Sequence, residues 1–129
     1  PQRERATAAA RVVEALAGVR RDARGQWLLA STHRDACSER RLSGVHEGQL
    51  VNIIIDRSFI DGEGQRWVID YKTSTHEGAA LDQFLHSEVQ RYRPQLQRYA
   101  ALAASLGPEP VRAALYFPLL GEFREVPLD

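Results

Sequence analysis

The 129-residue chain has one cysteine, Cys37, and no methionine. A single thiol excludes an internal disulfide and every zinc site built on several cysteines, and it fits a reducing, cytoplasmic setting. No apolar run reaches the roughly 20 residues of a membrane span, and the N-terminal stretch lacks the apolar core of a secretory signal, so a soluble chain with no membrane partner is expected. A net charge is missing as well. With 17 basic residues against 17 acidic ones, no global field announces a polyanionic ligand, and a nucleic-acid role has to be argued from local groups. Lysine is almost absent: of the 17 basic residues only Lys72 is lysine, and the rest are arginine. One position therefore uses a compact ammonium where the remainder of the chain uses a planar guanidinium. That lysine follows Tyr71 and not glycine, which excludes a Walker-type phosphate loop and an ATPase motor. A chain that opens at Pro1 and has no methionine is expected to be a piece of a longer protein.

The composition that remains, 43% hydrophobic and 26% charged, is that of one ordinary globular domain. Ala8, Val12, Ala15, Leu16 and Val19 share a stripe that predicts a packing helix over 6–19. Asp22 to Gly25 reads as a turn, and Gln26 to Ala30 as a short apolar run that fits either a strand or a helical turn. From Glu39 the pattern becomes extended: Glu39 to Val45, Leu50 to Ile60 and Gln65 to Thr73, separated by Glu47-Gly48 and by Asp61-Gly62-Glu63-Gly64. These predict a three-strand antiparallel meander. Leu85, Val89, Tyr92, Leu96, Tyr99, Ala103 and Leu106 then recur at helical spacing. Pro94 interrupts them, so two helical pieces are expected. Val111 to Pro118 reads as a last strand reached through the helical crossover, giving an α/β domain with a mixed sheet over 1–129.

Strand parity puts Asp70 and Lys72 on one face, about 6.6 Å apart along the strand. A three-residue loop at Gly62-Glu63-Gly64 pairs Asp61 with Gln65, which sets Phe59 opposite Trp67 and Asp56 opposite Asp70. One face then carries two carboxylates beside an ammonium, and the other packs Ile55, Phe59, Trp67, Ile69 and Tyr71. Like charges directly across a sheet are destabilising without a compensating cation. A hard divalent metal, Mg2+ first, accepts one or two carboxylates and leaves positions for water and phosphate. Lys72 can there orient or deprotonate the attacking water, or neutralise charge developing on phosphorus. A second group of residues lies in RYRPQLQRYA. Gln95 and Tyr99 are neighbours on one helix face, Arg91 and Arg98 lie along a related stripe, and Arg91 to Arg98 holds three arginines and no acid. Such a face can hold a phosphate backbone. His33, His46, His76 and His86 have no paired spacing and read as solvated loop residues, and Cys37 as a small buried apolar residue.

VNIIIDR, WVIDYKTS and YRPQLQRYA, in that order, closely resemble the PD-(D/E)XK nuclease superfamily. Within it the likeness is to the RecB-like exonuclease domain at the C-terminus of superfamily-one (UvrD/Rep-like) DNA helicases, as in the exodeoxyribonuclease V beta subunit. It runs from about Trp27 to Glu125 and includes RGQWLLA and LYFPLL. The resemblance implies a restriction-endonuclease-like core and a metal-dependent DNA exonuclease that uses Mg2+, with Mn2+ as a substitute, in DNA end processing and recombinational repair. It implies DNA as partner, a helicase motor in the same parent chain and a possible second nuclease-helicase subunit. Residues matching Asp56 and Asp70 bind metal, the carbonyl at Tyr71 completes the shell, Lys72 is catalytic, and Gln95 and Tyr99 contact DNA. The family also places a His or Glu on a helix ahead of the sheet. Glu14 matches it poorly; Glu39 is an alternative, because a two-residue turn at Glu47-Gly48 places it opposite Asp56; or the motif lies upstream of Pro1. The rival expectation is a catalytically silent DNA-binding or scaffold module with the same fold.

Overall fold

The computed structural model describes residues 22–76 and 80–129. The helix expected over 6–19, and Glu14 with it, lies outside the described residues. The first described element is a helix, α1 (Ala23–Leu29), where a turn and an undecided apolar run were expected. The difference comes from Asp22, whose carboxylate accepts hydrogen bonds from the Arg24 and Gly25 N–H groups and so caps the helix start. The same carboxylate accepts the Tyr116 hydroxyl proton at 2.7 Å, tying α1 to the far end of the chain.

The meander is present as β1 (Arg34–His46), β2 (Gln49–Ile60) and β3 (Arg66–Tyr71). Glu47 and Gly48 join the first pair with φ of 51° and 79°. This doubly left-handed turn matches the right-handed twist of a hairpin. It sets His46 opposite Gln49 and continues back to Ser38 opposite Arg57. The second turn is held by Asp61, which accepts the Glu63 and Gln65 N–H groups on Oδ1 and the Trp67 indole N–H on Oδ2. Gly64 takes a φ of 78° there, a conformation that costs a side-chain-bearing residue energy. Phe59 accordingly faces Trp67, the expected register.

A long helix, α2 (Leu81–Ala103), crosses over to β4 (Val111–Phe117), which pairs parallel with β3, and β5 (Glu122–Val126) closes the sheet antiparallel to β4. The five strands lie in the order β1-β2-β3-β4-β5, a mixed sheet as expected, with β5 an unforeseen addition. The expectation of two helical pieces is not met, because α2 runs unbroken through Pro94. Proline removes the N–H that would reach the Gln90 carbonyl. Both Gln90 and Pro94 are exposed, so water can serve that carbonyl.

Each face of the sheet has its own core. Leu85, Val89 and Leu96 of α2 pack on Ile53, Ile55, Val68 and Leu115, while Leu28 of α1 packs with Phe59, Trp67, Ile69 and Tyr116. Ile55 thus lies on the α2 side and not with Phe59 as expected. Pairing between β2 and β3 runs only as far as Arg57 opposite Ile69, and beyond that point simple parity no longer holds. Cys37 is only half-buried in β1, not a core residue. The histidines meet the solvated-loop expectation only in part: His33 and His76 lie in loops but stack on Phe59 and Phe84, His46 ends β1, and His86 is exposed but lies in α2.

Because proline in a helix interior costs about 3 kcal/mol and the chain here already follows the helical path, Pro94→Ala should stabilise the domain by about 1 to 3 kcal/mol. Urea denaturation of the two proteins measures it, and an unchanged midpoint would mean that the helix is not under this strain.

Candidate functional site

The site forms where β2 and β3 stop pairing. Asp56 is the next β2 residue after the last paired position, and its Oδ2 accepts the Tyr71 N–H at 2.8 Å. A side chain thereby takes the bond that a strand carbonyl would have received, which fixes the carboxylate at the end of β3. Asp70 is buried and Asp56 half-buried. Burial, together with the Asp70 charge, pushes the Asp56 carboxyl up to about 6, against the pull of the Tyr71 N–H and Lys72. The two acids are therefore close neighbours.

Lys72 follows β3, and its N–H donates to the Tyr116 carbonyl, which keeps the backbone aligned with β4. Its Nζ lies 2.8 Å from Asp70 Oδ2. The ammonium thus occupies this buried oxygen as an ion pair. The ammonium also sits 3.5 Å from the centroid of the Tyr92 ring on α2. On the opposite side of β2, the buried Arg57 donates to the carbonyls of Leu28 and Ala30 and to Ser38 Oγ, anchoring the end of α1. Tyr71 is half-buried, and its phenol is pushed up to about 12 by burial despite the nearby Arg57 guanidinium, so it stays neutral.

The structure brings Asp56, Asp70, Tyr71 and Lys72 together at the end of β3. Gln95 and Tyr99 lie half-buried on α2, with Tyr99 packed against the α2-side core, and Arg91 and Arg98 are exposed on the same helix. Glu39 does fall at the register position opposite Asp56, between the pairs Ser38–Arg57 and Arg40–Ile55. It is exposed, with a left-handed φ of 53°, and is not among the groups that shift Asp56. Among the described residues no three His, Cys, Asp or Glu side chains converge as metal ligands would. Sequence reasoning missed Tyr92 and Glu88. Glu88 is buried with an unpartnered Oε2, and both residues lie on the stripe Glu88, Tyr92, Gln95, Tyr99, a helical spacing that was there to be read.

This constellation has a counterpart among known sequences: the profile of the PD-(D/E)XK nuclease superfamily matches residues 1–126. The chain belongs to the PD-(D/E)XK nuclease superfamily. No curated protein matches it. The mixed sheet and crossover helix agree with the restriction-endonuclease-like arrangement of that superfamily, which generally consists of nucleases. The donor set suits a divalent cation: two crowded carboxylates, Asp56 half-buried and Asp70 buried, beside a single ammonium. Among the described residues no helix is long and apolar enough to cross a membrane.

The raised Asp56 value carries a sign. Between its unfolded value, 3.8, and about 6, the folded protein binds the proton that the unfolded chain has released, so this group lowers stability as pH rises through that window. In chelator, the melting temperature of the native protein should fall relative to that of Asp56→Asn between those two pH values and run parallel above them. A difference that is constant with pH would show that Asp56 is not held neutral by its surroundings.

Proposed function

We propose that this domain is a metal-dependent deoxyribonuclease of the RecB-like kind, hydrolysing phosphodiester bonds during DNA end processing and recombinational repair as part of a helicase-nuclease. The reading is carried by one observation: Asp56 and Asp70 crowd at the end of β3 with the chain's sole lysine 2.8 Å from Asp70. Asp56, Asp70 and the Tyr71 carbonyl would hold Mg2+, or Mn2+ in its place, which when bound supplies Lewis-acid stabilisation to a phosphoryl oxygen. Asp56 is pre-positioned for this by its bond to the Tyr71 N–H, which leaves its other oxygen free of that bond. Lys72 orients the attacking water and sets a positive charge where negative charge grows on phosphorus. Gln95, Tyr99, Arg91 and Arg98 line the helix that packs over this end of the sheet, and their amide, phenol and guanidinium groups suit a DNA backbone. The helicase motor belongs to the same parent chain in this reading, with a second nuclease-helicase subunit as a further partner.

A second reading, a catalytically silent DNA-binding module, is favoured by the absence of a third converging acid or histidine among the described residues. Lys72→Ala in the parent protein separates the two. It leaves both carboxylates, so DNA binding and ATP-driven unwinding should persist, while nuclease turnover on linear duplex with Mg2+ should fall on the order of 10² to 10³-fold. Turnover at the native rate would remove Lys72 from the chemistry, and no turnover in the native protein would favour the silent module.

Metal binding has its own readout. Millimolar Mg2+ or Mn2+ should raise the melting temperature, because a ligand that binds only the folded state stabilises it, and Asp70→Asn should abolish the shift. A shift that survives this substitution would place the cation elsewhere.

A further inference from the structure

Lys72 is held on two sides by groups of different kinds. Asp70 attracts its ammonium through charge, at 2.8 Å. Tyr92 offers the face of its ring, 3.5 Å from Nζ to the ring centroid. Cations over an aromatic face are attracted by the ring quadrupole, and the attraction grows where water is excluded. Here the Lys72 side chain is only 17% exposed. The ring itself cannot wander: Tyr92 is half-buried and packs against the α2-side core, between the buried Val89 and Leu96 along the helix. Arg91 reaches the same ring, its guanidinium carbon 5.2 Å from the centroid.

We propose that Tyr92 is a positioning residue for Lys72, its ring forming the seat that keeps the ammonium in place when Asp70 is engaged elsewhere. The proposal rests on the nuclease reading for its catalytic consequence, but the contact itself does not. An ion pair with Asp70 alone would leave a four-carbon chain free to swing about one anchor. The pair would also weaken if Asp70 shared its charge with a divalent cation, which would repel the ammonium in addition. The ring carries no net charge, and its hold survives both changes. Only the ring face is required, so the phenolic oxygen of Tyr92 is dispensable for this role.

The sole lysine makes the test direct, because lysine labelled with 13C and 15N gives one set of side-chain signals. In the native protein the Lys72 ε-methylene protons should be shifted upfield by the ring and show nuclear Overhauser contacts to Tyr92 ring protons. Tyr92→Phe should retain the shift, and Tyr92→Leu should return it to the free-lysine position. In parallel, Tyr92→Leu should lower kcat about tenfold with little change in KM, and Tyr92→Phe should restore most of the loss. An unshifted ε-methylene signal with no ring contact in the native protein overturns the proposal, and this measurement stands even if the leucine variant does not fold. A folded Tyr92→Leu protein with native kcat overturns the catalytic consequence. Full turnover in Lys72→Ala instead removes Lys72 from the chemistry and overturns the catalytic consequence, whereas no turnover in the native protein overturns the nuclease reading and leaves the ring contact to be judged by its signal alone.

Discussion

The bond from the Tyr71 N–H to the Asp56 carboxylate is the constraint from which the site follows. It ends the ladder between β2 and β3 with a side chain and not with a carbonyl, and so places an acid at the point where the strands part. Asp70 is then a near neighbour, two partly desolvated carboxylates face one another, and the pair requires positive charge. Lys72 meets part of that need and Tyr92 holds Lys72. The next residue along β2, Arg57, serves the other side of the sheet by gripping the carbonyls at the end of α1. Two successive residues of one strand thus serve opposite faces: the acid a site, the base a packing helix.

The scarcity of lysine acquires a physical meaning in this setting. Several of the described arginines engage more than one group at once. Arg66 is buried and reaches both Asp35 and Glu109, Arg112 pairs with Glu125 and stacks on Trp67, and Arg124 joins Glu122 and Asp82. A planar fork suits such multiple, directional tasks, whereas a point charge on a flexible stem suits a group that sits near a carboxylate and over a ring.

Both hairpin registers were legible because each depends on neighbours in sequence. Glu47-Gly48 and Gly62-Glu63-Gly64 have the turn chemistry that fixes pairing, and the opposition of Phe59 and Trp67 and the approach of Asp56 to Asp70 follow by counting. What escaped reading depends on groups far apart in the chain. Asp22 caps α1 while accepting the hydroxyl of Tyr116, 94 positions away, and no local pattern announces that. Ile55 lies on the α2 side although Phe59 lies on the other, a change of parity that falls where β2 stops pairing with β3 and that no local pattern announces. Pro94 stays within a helix because the packing of Leu85, Val89 and Leu96 on the sheet outweighs one missing hydrogen bond. Tyr92 passed for a core residue, which it partly is; that it also seats a cation depends on where the backbone carries Lys72.

The crossover through α2 has a consequence for the order of assembly. The β2–β3 hairpin closes a short loop, an event of about 1 to 10 μs, and it alone brings Asp56 and Asp70 together. The parallel pairing of β3 with β4 must wait for the whole of α2 to fold back, a slower and less local event. Only that second step gives Lys72 its backbone bond to Tyr116 and its place under Tyr92. Before that closure Lys72 has only its near neighbour Asp70 as an anchor, so the arrangement at the end of β3 is complete only once α2 and β4 are in place.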